Sequence, residues 1–286
     1  MVALYYGIIM IAVVMFSLQF LFNQQFEKQC GSGMRAALVF SAGYSAAGLL
    51  VLLIINGFRL EFSWFSMIMA ILTALNGMAY TFCSLKALEK INLSLYSVFS
   101  MLGGMMLPFA AGILFFHESL SAGKIVCVVF VTASLFLTVK RGRKSGEVWH
   151  YIGIFILNGM SGVLSKIFQA GQWVKTSEAG YSVLSAAAAV LLSLAILPLI
   201  KGKQIRLNFR AAGSMLGYGV LNKVGNLLLL IALAHLPASA QYPMVTGGVM
   251  IVSTVLCYFT HQKPSAKEIA SVILSFAGIL ALTLIP

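Results

Sequence analysis

Apolar runs of about 20 residues recur from one end of this chain to the other, and no other feature restricts its folding as much. A helix needs ~20 such residues to cross the hydrocarbon of a bilayer. An unpaired peptide group finds no water there, so runs of this length are helices and not open strands. Ten spans are expected, at 2–22, 34–56, 64–86, 91–116, 122–140, 150–170, 180–200, 211–234, 237–259 and 267–285. The breaks fall at "QQFEKQCGSG", "NGFRLEF", "KRGRKSGE", "VKTSEAG" and "KGKQIRLN". Trp64, Trp149 and Trp173 stand at span ends, where amphipathic indoles favour the headgroup region. Composition agrees: 60% of the 286 residues are hydrophobic and 9% charged, against ~25% charged in soluble domains. The expected fold class is an all-α membrane protein in the bacterial cell membrane, with its first run a retained helix and not a cleaved signal.

The net charge of +12 is carried by the loops. Connections after odd-numbered spans hold fourteen basic residues: Lys28, Arg35, Lys86, Lys90, Lys140, Arg141, Arg143, Lys144, Lys201, Lys203, Arg206, Arg210, Lys263 and Lys267. Those after even-numbered spans hold three, Arg59, Lys124 and Lys175. The positive-inside rule puts the first set in the cytoplasm and both termini outside. No basic face with interleaved aromatics suits nucleic acid, so membrane lipids are the expected partner of this charge. The four cysteines and four histidines have neither disulfide nor metal-ligand spacing. No phosphate-binding loop, dinucleotide fingerprint or nucleophile elbow occurs. No enzyme activity, cofactor or metal is therefore expected, and monomer and homodimer both stay open.

The chain repeats itself. "ALEKINLSLYSVFSMLGGMM" at 87–106 parallels "ALAHLPASAQYPMVTGGVM" at 232–250, and "FFHESLSAGKI" at 115–125 parallels "FTHQKPSAKEI" at 259–269. Gly104 precedes His117, and Gly248 precedes His261, by the same interval. Such spacing divides the chain into a first five-helix repeat at 1–140, a basic linker at 141–149 and a second repeat at 150–286. Five being odd, the halves are inverted with respect to one another, an arrangement frequent in secondary transporters. The third and eighth helices are expected to face each other across a cavity.

With the closing "SFAGILALTL", these helix-end signals resemble the drug/metabolite transporter superfamily, in particular its ten-helix EamA-type members. The second half is also similar to the closing part of small multidrug resistance proteins. The resemblance implies a basket in which the first, third, fourth, sixth, eighth and ninth helices enclose a central cavity. Members of that superfamily generally hold both termini in the cytoplasm, opposite to the charge count here. Small multidrug resistance proteins also carry a membrane-embedded glutamate for cation/proton exchange. This chain has no Asp, and its seven Glu stand at helix ends or in loops. That exchange chemistry is not expected.

Candidate site residues come from polar stripes. An ionisable residue inside the membrane marks a functional site by default, and Lys223 stands in the middle of the eighth span. At 100° per residue Tyr218, Asn222 and Asn226 share its arc. On the sixth span Asn158, Gly162, Ser165, Lys166 and Gln169 share a face; on the third, Asn76 and Tyr80 do. Gln241 and Tyr242 begin the ninth. For each Asn or Ser the competing role is interhelical hydrogen bonding, and for Lys166 it is snorkelling to the headgroups. The expected function is a secondary transporter, an exporter working by alternating access. Its expected substrate is a small organic anion or zwitterion such as an amino acid; the alternative is a flippase for a lipid-linked carrier. Lys223 would pair with a substrate carboxylate or phosphate, or titrate as the coupling group.

Overall fold

The structure, a computed structural model, describes residues 2–89, 93–138, 148–201, 205–259 and 266–285. Ten helices follow in order: α1 (Val2–Cys30), α2 (Met34–Ile55), α3 (Trp64–Leu88), α4 (Leu93–Leu114), α5 (Ala122–Thr138), α6 (Val148–Ala170), α7 (Glu178–Ile196), α8 (Phe209–Leu233), α9 (Ala238–Phe259) and α10 (Ala266–Leu284). No strand occurs among the described residues. Among these residues α1, α2, α3, α6, α7 and α8 are long and apolar enough to cross a membrane. This is an all-helical, multi-pass membrane protein. Most of the basic linker, 141–147, lies outside the described residues, as does His261 of the repeated turn.

Local chemistry sets the ends. Ser63, Ser177 and Asn208 begin α3, α7 and α8, each accepting a backbone N–H three residues on, which satisfies a first-turn donor. The expected end of the first helix at 22 is a correction: α1 continues to Cys30. The extra turns carry Phe26 into full burial against Phe40, ring centres 4.4 Å apart. Gly31, at φ 79°, then closes the helix by donating to the Glu27 carbonyl at 2.8 Å, a left-handed cap that glycine adopts without strain.

Packing is between particular pairs. α1 lies on α8 and α9, α6 on α3 and α4, α2 on α7 and α8, and α5 on α10. Hydrocarbon outside gives helices no hydrophobic reason to associate, so close backbone approach substitutes for it. A Cβ on Gly103 of α4 would stand 1.9 Å from the Phe155 carbonyl oxygen of α6. On Gly219 of α8 it would stand 2.2 Å from that of Tyr44 on α2. Large apolar side chains such as Leu50, Leu191 and Ile273 point outward and stay exposed, as a lipid-facing surface requires. Inside, packed clusters lie toward both ends of the bundle, and Met69, Leu164, Phe168, Tyr181 and Leu230 belong to one nearer the even-numbered connections. Phe26, Phe40, Tyr44 and Tyr218 form one aromatic layer with Leu85 and Met215. Tyr44 and Tyr218 meet edge to face at 4.8 Å between ring centres.

Candidate functional site

Above that layer the helices part around a cavity of about 190 Å³. One water needs ~10–15 Å³ by the same measure, so a small solute fits. The lining runs along α8 from Tyr218 through Asn222, Lys223 and Asn226 to Leu233, and along α6 from Asn158 to Ser165. It therefore lies between that layer and the cluster of Met69, Phe168, Tyr181 and Leu230.

Lys223 is the one formally charged residue of the described lining. Its stem crosses α2 at Gly48, where an added Cβ would stand 2.2 Å from the lysine Cγ. The ammonium ends 5.5 Å from the centre of the Tyr44 ring, a cation–π contact. Among the described residues it has no carboxylate and no hydrogen-bond acceptor. Asn222 donates to Gln19 Oε1 at 3.0 Å, and Asn226 donates to the Asn222 carbonyl at 2.7 Å. Across the cavity, the Tyr80 hydroxyl lies 2.6 Å from that of Tyr96 and 2.8 Å from Ser100 Oγ. Asn158 donates to the Ser100 carbonyl at 2.6 Å, and Tyr242 to the Gly162 carbonyl at 3.1 Å.

Three of the expected site residues stand away from the lining. Asn76 donates to the Leu157 carbonyl at 2.9 Å and to Ser161 Oγ at 2.8 Å, joining α3 to α6. Gln241 is fully buried and donates to the Leu229 carbonyl at 2.9 Å, joining α9 to α8. Both amides work as interhelical hydrogen bonds because the facing backbone lies within their reach. Lys166 neither enters the cavity nor snorkels. Its Nζ meets Glu118 Oε1 at 2.5 Å, with the Phe116 ring 5.6 Å away. Glu118, in the α4–α5 connection, also accepts from the backbone N–H of Ala238 and Ser239 at 3.0 and 2.9 Å. Its carboxylate therefore caps α9, where the helix dipole favours negative charge. Burial works against the ionised form, yet Lys166 and the two amides outweigh it and hold the carboxyl below its usual range.

Some lining residues were missed in sequence. Gln19 interrupts an apolar run on α1, and Tyr181, Ser182 and Ser185 mark one face of an Ala/Leu-rich α7. α2 contributes Tyr44 and Leu52. The basket therefore includes α2 and α7 besides the expected six helices, because α2 packs on both α7 and α8. The polar breaks in α1 and α7 were visible signals; the reach of α2 was not, since Tyr44 alone is ordinary in a membrane helix. Among the described residues no three His, Cys, Asp or Glu side chains gather to hold a metal ion.

No family model matches the sequence, and no curated protein matches it either. Solved structures do match. One, described as "Crystal structure of protein", aligns with a TM-score of 0.75 over 99% of this chain and 97% of its own, at 17% identity. At that identity the likeness establishes the fold alone, a bundle shared from end to end.

Proposed function

We propose that this protein is a secondary transporter of the drug/metabolite transporter superfamily, EamA type, which exports a small organic anion or zwitterion by alternating access. One observation carries the proposal: an ammonium with no counter-charge among the described residues lines a polar cavity inside a membrane bundle. A central lysine costs ~2.5–3.5 kcal/mol on insertion scales, and a structural role would give it a carboxylate, as Lys166 has. Helix pairing supports two inverted five-helix repeats in ten spans. The α1–α8 pair corresponds to α6–α3, α4–α6 to α9–α1, and α2–α8 to α7–α3, while α5–α10 and α2–α7 are self-related pairs. With the basic connections in the cytoplasm, the layer of Phe26, Phe40, Tyr44 and Tyr218 lies on the inner side of the cavity.

Reconstituted protein tests this directly. Lys223→Met keeps most of the side chain's length without its charge. The variant folds, and its affinity for an anionic solute falls about tenfold, which is 1.4 kcal/mol and modest for a charge-assisted hydrogen bond. Equal affinity, rate and pH profile in variant and wild type would make Lys223 structural and remove the basis of this reading.

A further inference from the structure

The hydrogen-bonding state of the cavity wall narrows the solute. Ser165 donates to the Ser161 carbonyl at 3.0 Å, Ser182 to the Glu178 carbonyl at 2.8 Å, and Ser185 to the Ser182 carbonyl at 3.0 Å. Each hydroxyl has spent its proton on its own helix and keeps only acceptor lone pairs. None of the three accepts from another described residue, and all line the cavity. These three serines thus add neutral acceptors to the α6–α7 side, beside the Asn158 amide and the Tyr181 hydroxyl, and suit donors on the solute. The α8 side offers one positive charge, Lys223, and no carboxylate lines the cavity among the described residues. The nearby Glu118 is already neutralised by Lys166 and the α9 amides.

Two charges of one sign inside a low-dielectric cavity repel strongly. A solute bringing its own ammonium would leave the loaded cavity at net +1, with only neutral oxygens to receive the amine. A monoanion makes the loaded cavity neutral, and hydroxyl groups meet the serine acceptors without a second charge. Resting on the transport reading above, we infer that the solute is a small hydroxylated monocarboxylate without an amino group. Its carboxylate sits at Lys223, and its hydroxyls donate to Ser165, Ser182 and Ser185.

Uptake into proteoliposomes by the full-length protein, using solutes matched in carbon number, tests each part. D-Glycerate, L-serine and propionate form a three-carbon set; D-gluconate, glucosaminate and hexanoate form a six-carbon set. In at least one set the hydroxy acid is taken up at least tenfold more efficiently than its amino and deoxy counterparts. Ser182→Ala with Ser185→Ala, conservative within a helix, lowers uptake of the hydroxy acid relative to the deoxy acid at least fivefold and so erases most of the preference between them. If the amino compound equals or exceeds the hydroxy acid, this inference falls and the transporter reading stands. If the deoxy acid equals the hydroxy acid, the serine wall does not select and the inference falls as well. No uptake of any of the six, together with no shift in melting temperature by any of them, overturns both.

Discussion

Lys223 is held in place by what its neighbour lacks. Gly48 leaves a notch for the lysine stem, and an alanine methyl there would meet both that stem and, at 2.9 Å, the Gly219 carbonyl. Gly48→Ala is expected to lower stability by about 1–3 kcal/mol, the usual cost of overpacking. Lys223→Ala in the same chain recovers part of it, because a side chain yields. Gly219→Ala costs more and is not rescued by any substitution at 223, since its obstacle is the Tyr44 backbone 2.2 Å away. Thermal unfolding in detergent of the two single variants and of the Gly48→Ala, Lys223→Ala double checks the order; rescue of Gly219→Ala would contradict it. Of this arrangement the sequence disclosed the polar arc Tyr218, Asn222, Lys223 and Asn226, because helical periodicity is a local property. It did not disclose Gly48 or Tyr44, which belong to a helix far away in the chain. Nor could it separate Asn76 and Gln241 from the lining: an amide bonding a neighbouring carbonyl and one facing water are the same letter.

At the scale of elements, polar groups between spans join helix ends. Glu118 binds α6 through Lys166 and the start of α9 through two amides. Glu118→Gln leaves Lys166 nearly buried without a counter-charge, at a cost of about 3 kcal/mol. Adding Lys166→Met removes most of that cost. The carboxyl titrates below its usual range, so its stabilisation is complete above the unfolded-state value of about 4.3 and is lost as pH falls through the lower folded value. Melting temperature should accordingly hold level from neutral pH to about 5 and drop more steeply below it in wild type than in Glu118→Gln. Glu61 makes a second tie, accepting from the Ser177 hydroxyl at 2.7 Å and from its N–H at 2.6 Å. The hydroxyl first, and then the amide, hold the Glu61 carboxyl below its ordinary value. Ser177→Ala should raise that pKa toward the ordinary range, read by NMR titration of labelled glutamate, and weaken α7 by about 1 kcal/mol through the lost cap. The sequence placed Glu118 correctly at a helix end but could not pair it with Lys166, since the partner lies on α6, beyond the intervening α5.

For the whole molecule, the helices were legible because hydrocarbon thickness sets the length of an apolar run, while the proposed repeat rests on its distinctive turns. Which way the bundle sits across the membrane rests on the basic residues. Single cysteines placed between 141 and 147 are expected to react with a membrane-impermeant thiol reagent only after cells are opened; labelling in intact cells would reverse the assignment. The aromatic layer, finally, has an electrical consequence. In the proposed transporter a water-filled cavity open to one side would carry that side's potential inward, and most of the membrane voltage would fall across the packed layer between Tyr44 and Phe26. Under the proposed alternating access, transfer of the seal to the other half would carry the Lys223 charge across most of that voltage while it hardly moves in space. About 2.3 kcal/mol per charge per 100 mV acts on that step. A bound monoanion would cancel it, so for the proposed transporter voltage should govern the return of the empty protein and leave the loaded passage nearly untouched.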